Sequence, residues 1–365
     1  MKIFAYTLHT PRISIPDRER NQTELISLIT THGDMEITSI IQKRWVPDYH
    51  YFLHTWKLDE IRTDMLNTWA TLLLINNILK PQQIFQLIKY FEKDSIQVWD
   101  RVDLILKIFE HHATTMESRL QIELAAIKHM WPRIFGMGME LSRQWSGTNA
   151  RGLWETNTEI MKRHLKEKER LIKRKLEGYA NNRALHRYAR RRHNIPVIWL
   201  VWYTNAWKSS LFTALSHKAV EREDKLFATL GTHFGMYYDT STVPLTRFLI
   251  NDTIWFIDDL PPDLIEAFHS TLDESVHADV LLHIVDSSDE YRERKIKIVE
   301  DILIQIQPTG YQQIVFTKTD ISPYLDQIKD RYPEALYVSS ITKDWLTDIV
   351  QCITTNIHVY DLPNT

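Results

Sequence analysis

Val197-Ile198-Trp199-Leu200-Val201-Trp202-Tyr203-Thr204-Asn205-Ala206-Trp207-Lys208-Ser209-Ser210 decides how this chain is read. An apolar run of buried-strand character meets a short polar turn, then a Lys-Ser pair, then a helix start at Leu211. The spacing is that of a phosphate-binding loop, G-x-x-x-x-G-K-[ST]. Such a loop needs glycine where backbone N–H groups come close to phosphate oxygens. Both glycine positions, Trp202 and Trp207, instead carry the largest side chain. Either nucleotide binding has been lost, or the letters at these positions do not describe the polypeptide.

Composition sharpens the choice. Apolar content of 44% and charged content of 25% are ordinary for a globular protein, and 365 residues allow two domains or one domain plus a helical module. Glycine, at 9 residues, falls well below the usual ~7%, and tryptophan, at 12, outnumbers it. The longest apolar runs, such as 71–75 and 280–285, are too short to cross a bilayer. The N-terminal residues carry no signal-peptide pattern, and a cytoplasmic location is expected. The single cysteine, Cys352, excludes an internal disulfide and reads as a small buried apolar residue of a protein in a reducing compartment.

Taken in order, residues 1–100 alternate expected strands (2–8, 36–41, 71–75, 96–99) with expected helices (19–32, 57–66, 81–92), Pro81 standing at a first helical turn. That alternation predicts a small N-terminal parallel α/β domain. Residues 101–192 read as a helical hairpin arm: a helical pattern from 104 to about 130, a non-repetitive stretch over 142–155, and a second helix from about 156 to 192. Between Met161 and His193 stand 13 Lys/Arg and 3 Glu, a formal +10 in a chain of net −3, leaving −13 for the remainder. So little interleaved acid favours a polyanion partner, nucleic acid above all, over a merely solvated helix face. Residues 193–365 return to alternation, with strands expected at 245–252, 280–286, 312–318 and 335–339 and helices at 262–276, 292–306 and 344–353. That is enough for a mononucleotide-binding α/β domain.

Chemistry-bearing residues fall at the expected strand ends. Lys208 would neutralise β- and γ-phosphate charge and Ser209 would ligate Mg²⁺. Asp252-Thr253-Ile254-Trp255 has the form D-x-x-G with tryptophan again in the glycine place, its carboxylate helping to hold the ion. Thr317-Lys318-Thr319-Asp320 resembles the guanine-reading N-K-x-D element, the aspartate accepting from the guanine N1 and N2 donors. Between the first two lies Leu226-Phe227-Ala228-Thr229-Leu230, with Thr229 as the switch threonine over Mg²⁺ and the γ-phosphate. Val338-Ser339-Ser340, with Trp345 a few residues on, ends the last strand as a base-contacting loop would. Phe256, which cannot orient water, stands where some GTPases carry a glutamine, so intrinsic hydrolysis is expected to be slow or partner-dependent.

Together these segments resemble the HflX-type GTPases, ribosome-associated members of the translation-factor-related class, over nearly the whole chain. Residues 201–211 are similar to V-G-Y-T-N-A-G-K-S-T-L, 226–230 to L-F-A-T-L, and 252–260 to D-T-V-G-F-I-x-D-L. Residues 261–272 follow P-x-D-L-x-x-A-F-x-x-T-L. Upstream, 100–109 resembles D-R-x-x-L-I-L-x-I-F, and 142–156 the loop S-R-Q-G-G-G-I-G-T-R-G-P-G-E-T. The resemblance implies a C-terminal P-loop GTPase domain using GTP/GDP and Mg²⁺. It implies a catalytic set of Lys208, Thr229 and Asp252, and metal ligands Ser209, Thr229 and Asp252. It places the nucleotide against Trp202, Tyr203, Thr204, Asn205, Ala206, Trp207, Lys208, Ser209, Ser210, Phe227, Ala228, Thr229, Asp252, Trp255, Thr317, Lys318, Asp320, Ser339 and Ser340. The implied partners are the large ribosomal subunit and its rRNA, in ribosome splitting or rescue under stress, with no membrane span and a monomeric chain.

The departures from the family form a pattern. Trp56, Trp145, Trp154, Trp202, Trp207, Trp255 and Trp345 all stand where the family has glycine, while Lys208, Ser209, Thr229, Asp252 and Asp320 are intact. Random decay would scatter many residue types and damage the ligands too. The pattern is that of a gene whose UGA codons specify glycine, written out as though they specified tryptophan; an intact mass of the natively expressed protein that matches tryptophan would exclude this. His54, Ser146, Asn149 and Lys343 at other family glycine positions, and Thr317 in place of asparagine, do not reduce to that exchange. Taken literally, the tryptophans describe a nucleotide-free RNA-binding scaffold with a dead GTPase fold. A third alternative is a related GTPase acting in ribosome assembly.

Overall fold

The computed structural model describes residues 2–9, 11–33, 36–43, 46–144, 151–203, 211–212, 215, 233–239, 246–252, 264, 272, 276–339 and 345–357. The chain forms two compact units, Met1–His112 with Arg119–Arg174, and Ala113–Ser118 with Lys175–Thr365.

In the first unit, β1 (Lys2–His9), β2 (Glu36–Lys43), β3 (Leu72–Ile75) and β4 (Gln97–Asp100) form a parallel sheet in the order β2-β1-β3-β4. Parallel neighbours cannot be joined by a tight turn, so α1 (Ile15–His32), α2 (Thr55–Thr68) and α3 (Pro81–Phe91) return the chain between them. The register sets Ile3 beside Leu72, and Ile75 beside Asp100. β3, Leu-Leu-Leu-Ile, is buried on both faces, as a central parallel strand must be. One face packs Phe4, Tyr6, Leu58, Ile61, Met65, Ile84 and Leu87 into a single cluster. All expected strands and helices of this segment form. α1 starts four residues early because the Ser14 hydroxyl accepts the Asp17 N–H at 3.1 Å, capping the helix ahead of the apolar pattern.

The arm differs in its bounds. The first expected helix is two, α4 (Arg101–His112) and α5 (Met116–Gln144), because Thr115 caps a new start by accepting the Ser118 N–H at 3.1 Å. α5 and α6 (Arg151–Arg192) both run into the 142–155 stretch expected to be non-repetitive, of which 145–150 lie outside the described residues. No proline interrupts 151–192, so the helix has nothing to stop it. Ion pairs Glu123–Lys168 and Glu117–Arg183 join α5 to α6 in the antiparallel sense of a hairpin.

The second unit holds β5 (Val197–Trp202), β6 (His233–Asp239), β7 (Thr246–Asp252), β8 (Val280–Asp286), β9 (Tyr311–Thr317) and β10 (Leu336–Tyr337), in the order β10-β9-β8-β5-β7-β6. Every pairing is parallel except β6 with β7. Only residues 240–245 separate those two strands, too few for a crossover. β6 was not expected: its alternating exposure is that of an edge strand, without the continuous apolar run that marks the inner ones. α7 (Arg292–Ile306) matches expectation, α8 (Leu325–Arg331) adds a short helix, and α9 (Trp345–Asn356) closes the described chain. Most of the helix expected at 262–276 lies outside the described residues, and β10 is shorter than the strand expected over 335–339. Gly310 is irreplaceable on geometry: a Cβ there would lie 2.3 Å from the Ala278 carbonyl oxygen where the chain turns into β9.

Candidate functional site

In open parallel sheets, ligands bind outside the carboxyl ends of the strands, where chain order reverses. In the six-stranded sheet that point is β5. The next strands in sequence, β6 and β7, lie on one side of it, and β8, β9 and β10 on the other. Trp202 ends β5, is 3% exposed and pairs with Ile284 of β8. Tyr203 is buried beside it, with the Lys295 ammonium 5.1 Å from its ring centroid. Residues 204–210, with Lys208 and Ser209, lie outside the described residues; Leu211, Phe212 and Leu215 beyond them are helical and buried.

On the neighbouring strand Asp252 is the last residue of β7 and stands in register with Leu200 of β5. The sheet therefore carries it to the same edge as the start of the loop, although its side chain is outside the described part. Phe227, Ala228, Thr229, Trp255, Phe256 and Ser340 are also outside it.

On the other side of β5 the edge is described as far as Ser339. Asp286 ends β8 in register with Thr317 at the end of β9. Thr317 is 1% exposed and its hydroxyl donates to the Val285 carbonyl at 3.1 Å, so the side chain is turned into the sheet. Lys318 takes a left-handed backbone, φ 56°, and its ammonium lies 2.6 Å from Asp286 Oδ2. A left-handed lysine costs energy that surrounding contacts must offset, and the ion pair is one such contact. Asp320 is exposed, its Oδ1 accepting the Ser339 hydroxyl at 2.7 Å. The Thr319 N–H donates to the Val338 carbonyl at 3.2 Å, and the Ser322 hydroxyl to the Ser287 carbonyl at 2.7 Å. The loops after β8, β9 and β10 are thus one hydrogen-bonded assembly presenting a carboxylate to solvent.

Asp286 is the residue that sequence reasoning passed over. It accepts the Ser288 N–H at 3.0 Å and hydroxyl at 2.6 Å on Oδ1 while Oδ2 holds Lys318. Its signal was present: an acid closing an otherwise apolar strand run. At the opposite end of the sheet, Asp279 Oδ2 accepts the Val197 N–H at 2.7 Å and fixes the entry of β5. Of the seven tryptophans at glycine positions, Trp56 is 59% exposed in α2 and Trp202 is buried; the side chains of the other five are outside the described residues.

Comparison with known proteins gives a consistent picture. Residues 19–110 match the family described as GTP-binding GTPase N-terminal, 112–190 the GTP-binding GTPase Middle Region, and 197–318 the 50S ribosome-binding GTPase family. The chain is 35% identical to the GTPase HflX of Caldanaerobacter subterraneus subsp. tengcongensis over 343 residues, 93% of this chain and 78% of that protein. It is 32% identical to the GTPase HflX of Escherichia coli strain K12 over 336 residues, 91% of this chain and 78% of that one. Among solved structures, a complex of SsGBP with GDP shares the fold at a TM-score of 0.52 and 23% identity, covering 97% of this chain and 98% of that one. No helix among the described residues is long and apolar enough to cross a membrane.

Proposed function

The chain belongs to the GTPase HflX family and is a GTP-binding, GTP-hydrolysing protein of that class; from that premise we propose that it acts on the large ribosomal subunit, splitting or rescuing ribosomes under stress. The observation that carries the site assignment is the carboxyl edge of the six-stranded sheet. There β5 meets the phosphate-loop spacing at the switch point, and Asp320 stands exposed on the bonded loops after β9 and β10.

In this reading, Asp320 accepts the guanine N–H donors while Asp286 and Ser339 hold its loop in shape. Lys208 and the amides of residues 202–210 hold the phosphates. The oxygen set Ser209, Thr229 and Asp252 suits a hard divalent cation, and the backbone register of Asp252 with Leu200 supports this reading. Mg²⁺ bound there would neutralise phosphate charge. Thr229 and Trp255 lie in the segments that would couple nucleotide state to ribosome affinity. The basic α6 of the 101–192 arm, ending in Arg190-Arg191-Arg192, faces ribosomal RNA, and the 193–365 domain carries the nucleotide. The chain works as a cytoplasmic monomer.

A fluorescent GTP analogue titrated into protein of verified mass tests the site; absence of saturable binding sinks it. Co-sedimentation with mature large subunits, lost on exchanging Arg190, Arg191 and Arg192 for glutamine, tests the partner. Association only with precursor particles would replace it by the ribosome-assembly role. The buried Trp202 is the one observation that favours a nucleotide-free RNA-binding scaffold, and the same titration separates the two.

A further inference from the structure

Six non-glycine residues among those described have a left-handed backbone: Phe52, Trp69, Ser95, Asn194, Gln307 and Lys318. For five of them the chain supplies a reason. Asn194 is of a type that visits this region readily. Ser95 and Gln307 are unbranched polar residues at ends of helical segments. Phe52 is 6% exposed within the first unit's core, and Lys318 is tied to Asp286. Trp69, at φ 58° and ψ 34°, is 84% exposed. A large aromatic ring in water gains little from burial to offset the backbone it is forced into.

The surrounding geometry states which residue belongs there. The Trp69 N–H donates to the Leu66 carbonyl at 3.4 Å, and the Ala70 N–H to the Met65 carbonyl at 2.9 Å. Those two bonds are the Schellman closure of a helix, in which the first residue past the end is left-handed and usually glycine. Ala70 and Met65, the pair that packs in this closure, are both buried in the same cluster. Every feature of a glycine-ended helix is present at α2 except the glycine. Trp56, in the first turn of the same helix, is exposed as well.

We infer that residue 69 is glycine in the natural polypeptide, an eighth position at which a codon meaning glycine is written as tryptophan. This rests on the same decoding that opens the phosphate loop at 202 and 207, but it is reached from backbone geometry in a unit that contributes nothing to that loop. By the same criteria Trp99, stacked on His32 with centroids 5.6 Å apart, is a true tryptophan.

The test is peptide mass spectrometry of the protein purified from the cells that express it naturally. The tryptic peptide 63–89, uncut at Lys80 because Pro81 follows, is expected to be lighter by the difference between tryptophan and glycine, and the peptide 94–101 to carry Trp99 unchanged. Tryptophan at 69 overturns the inference, even if 202 and 207 prove to be glycine and GTP binds. Glycine at 69 in a protein that binds no GTP analogue upholds it and rejects the proposed site instead. In protein produced with tryptophan at 69, W69G is expected to raise the melting midpoint by about 2–4 °C and W69A to give less. A fall with W69G would equally overturn it.

Discussion

The two sheets, one parallel and one mixed, end very differently at their carboxyl edges. In the first, Asp100 closes β4 with no exposure, and Arg133 of α5 donates to Asp100 at 2.9 Å and to Asp103 at 3.0 Å. His129 lies against the same two carboxylates, while Arg101 reaches Asn76 at 2.9 Å and Glu24 at 2.6 Å. In the second sheet, the edge after β9 ends in an exposed Asp320 on a loop shaped by Asp286, Lys318 and Ser339. One edge turns its charges on itself and closes; the other leaves the Asp320 carboxylate exposed to solvent. Architecture alone therefore does not make a binding site. Asp100, Asp103 and His129 place their ligand atoms within 4.8 Å of one another, a group that could hold a metal ion, but Arg133 already supplies the cation.

The largest effect is expected where the closed edge is opened. Arg133→Ala leaves two buried or half-buried carboxylates short of their main counter-charge, a loss of about 3–5 kcal/mol by analogy with broken buried pairs. Urea unfolding measures it, and GTP-analogue affinity should be unchanged in the protein that remains folded. A loss below about 1 kcal/mol, the value of a surface pair, would mean that this edge is not closed and would erase the contrast.

His283 gives the next effect, on the second sheet. It sits on β8, 4% exposed, and burial pushes its imidazole down to about 4. It is neutral in the folded protein across the physiological range, whereas the unfolded chain takes a proton near 6.5. Above that value His283 does not affect stability. As pH falls from about 6.5 towards 4 the unfolded state binds the extra proton and stability declines, by at most about 3 kcal/mol. His283→Leu should flatten this acid limb in urea melts at stepped pH; an unchanged limb places the acid sensitivity elsewhere.

Asp320→Ala tests the open edge itself. Hydrogen bonds to a charged group are worth about 1.5–3 kcal/mol, so guanine-nucleotide affinity should fall about 10- to 150-fold while the urea midpoint stays put, because an exposed carboxylate supports little of the fold. Destabilisation without loss of affinity would make Asp320 a structural residue, and the two edges would then be alike.

How much of this the sequence carried depends on how local each signal is. β3 and β8 were legible because strands buried on both faces read as continuous apolar runs, and α7 because its apolar residues keep helical spacing. β6 was not, since an edge strand with one wet face has no such run and its place is set by pairing with β7. The start of α1 was missed because a single hydroxyl, Ser14, fixes it. At the site, Lys318 and Asp320 could be named from a four-residue pattern, and the structure places both on one bonded loop assembly. Asp286 was missed because its partner is 32 residues away, and no spacing rule links a strand-ending acid to a lysine on the next strand. The closed network of Asp100, Asp103, His129 and Arg133 was invisible for the same reason: it exists only once α5 lies against the start of α4.

The smallest effect has the opposite sign to that of His283. Burial works against charge on His129, yet the adjoining Asp100 and Asp103 carboxylates hold its imidazolium above the ordinary histidine value. Asp103 is held below the usual carboxylate range: burial opposes its charge, but His129 and Arg133 outweigh it. A histidine raised in this way stabilises fully below its unfolded value near 6.5, and that stabilisation fades as pH rises through the folded value. The loss should be smaller than that from His283, because Arg133 already neutralises the carboxylates and repels the imidazolium beside it. His129→Gln, neutral at every pH, should remove the alkaline limb while leaving the acid limb of His283 intact. The first sheet would then weaken towards alkaline pH and the second towards acid, each histidine reporting the side of neutrality on which its own unit loses stability. An alkaline limb that survives in His129→Gln would place the alkaline sensitivity elsewhere.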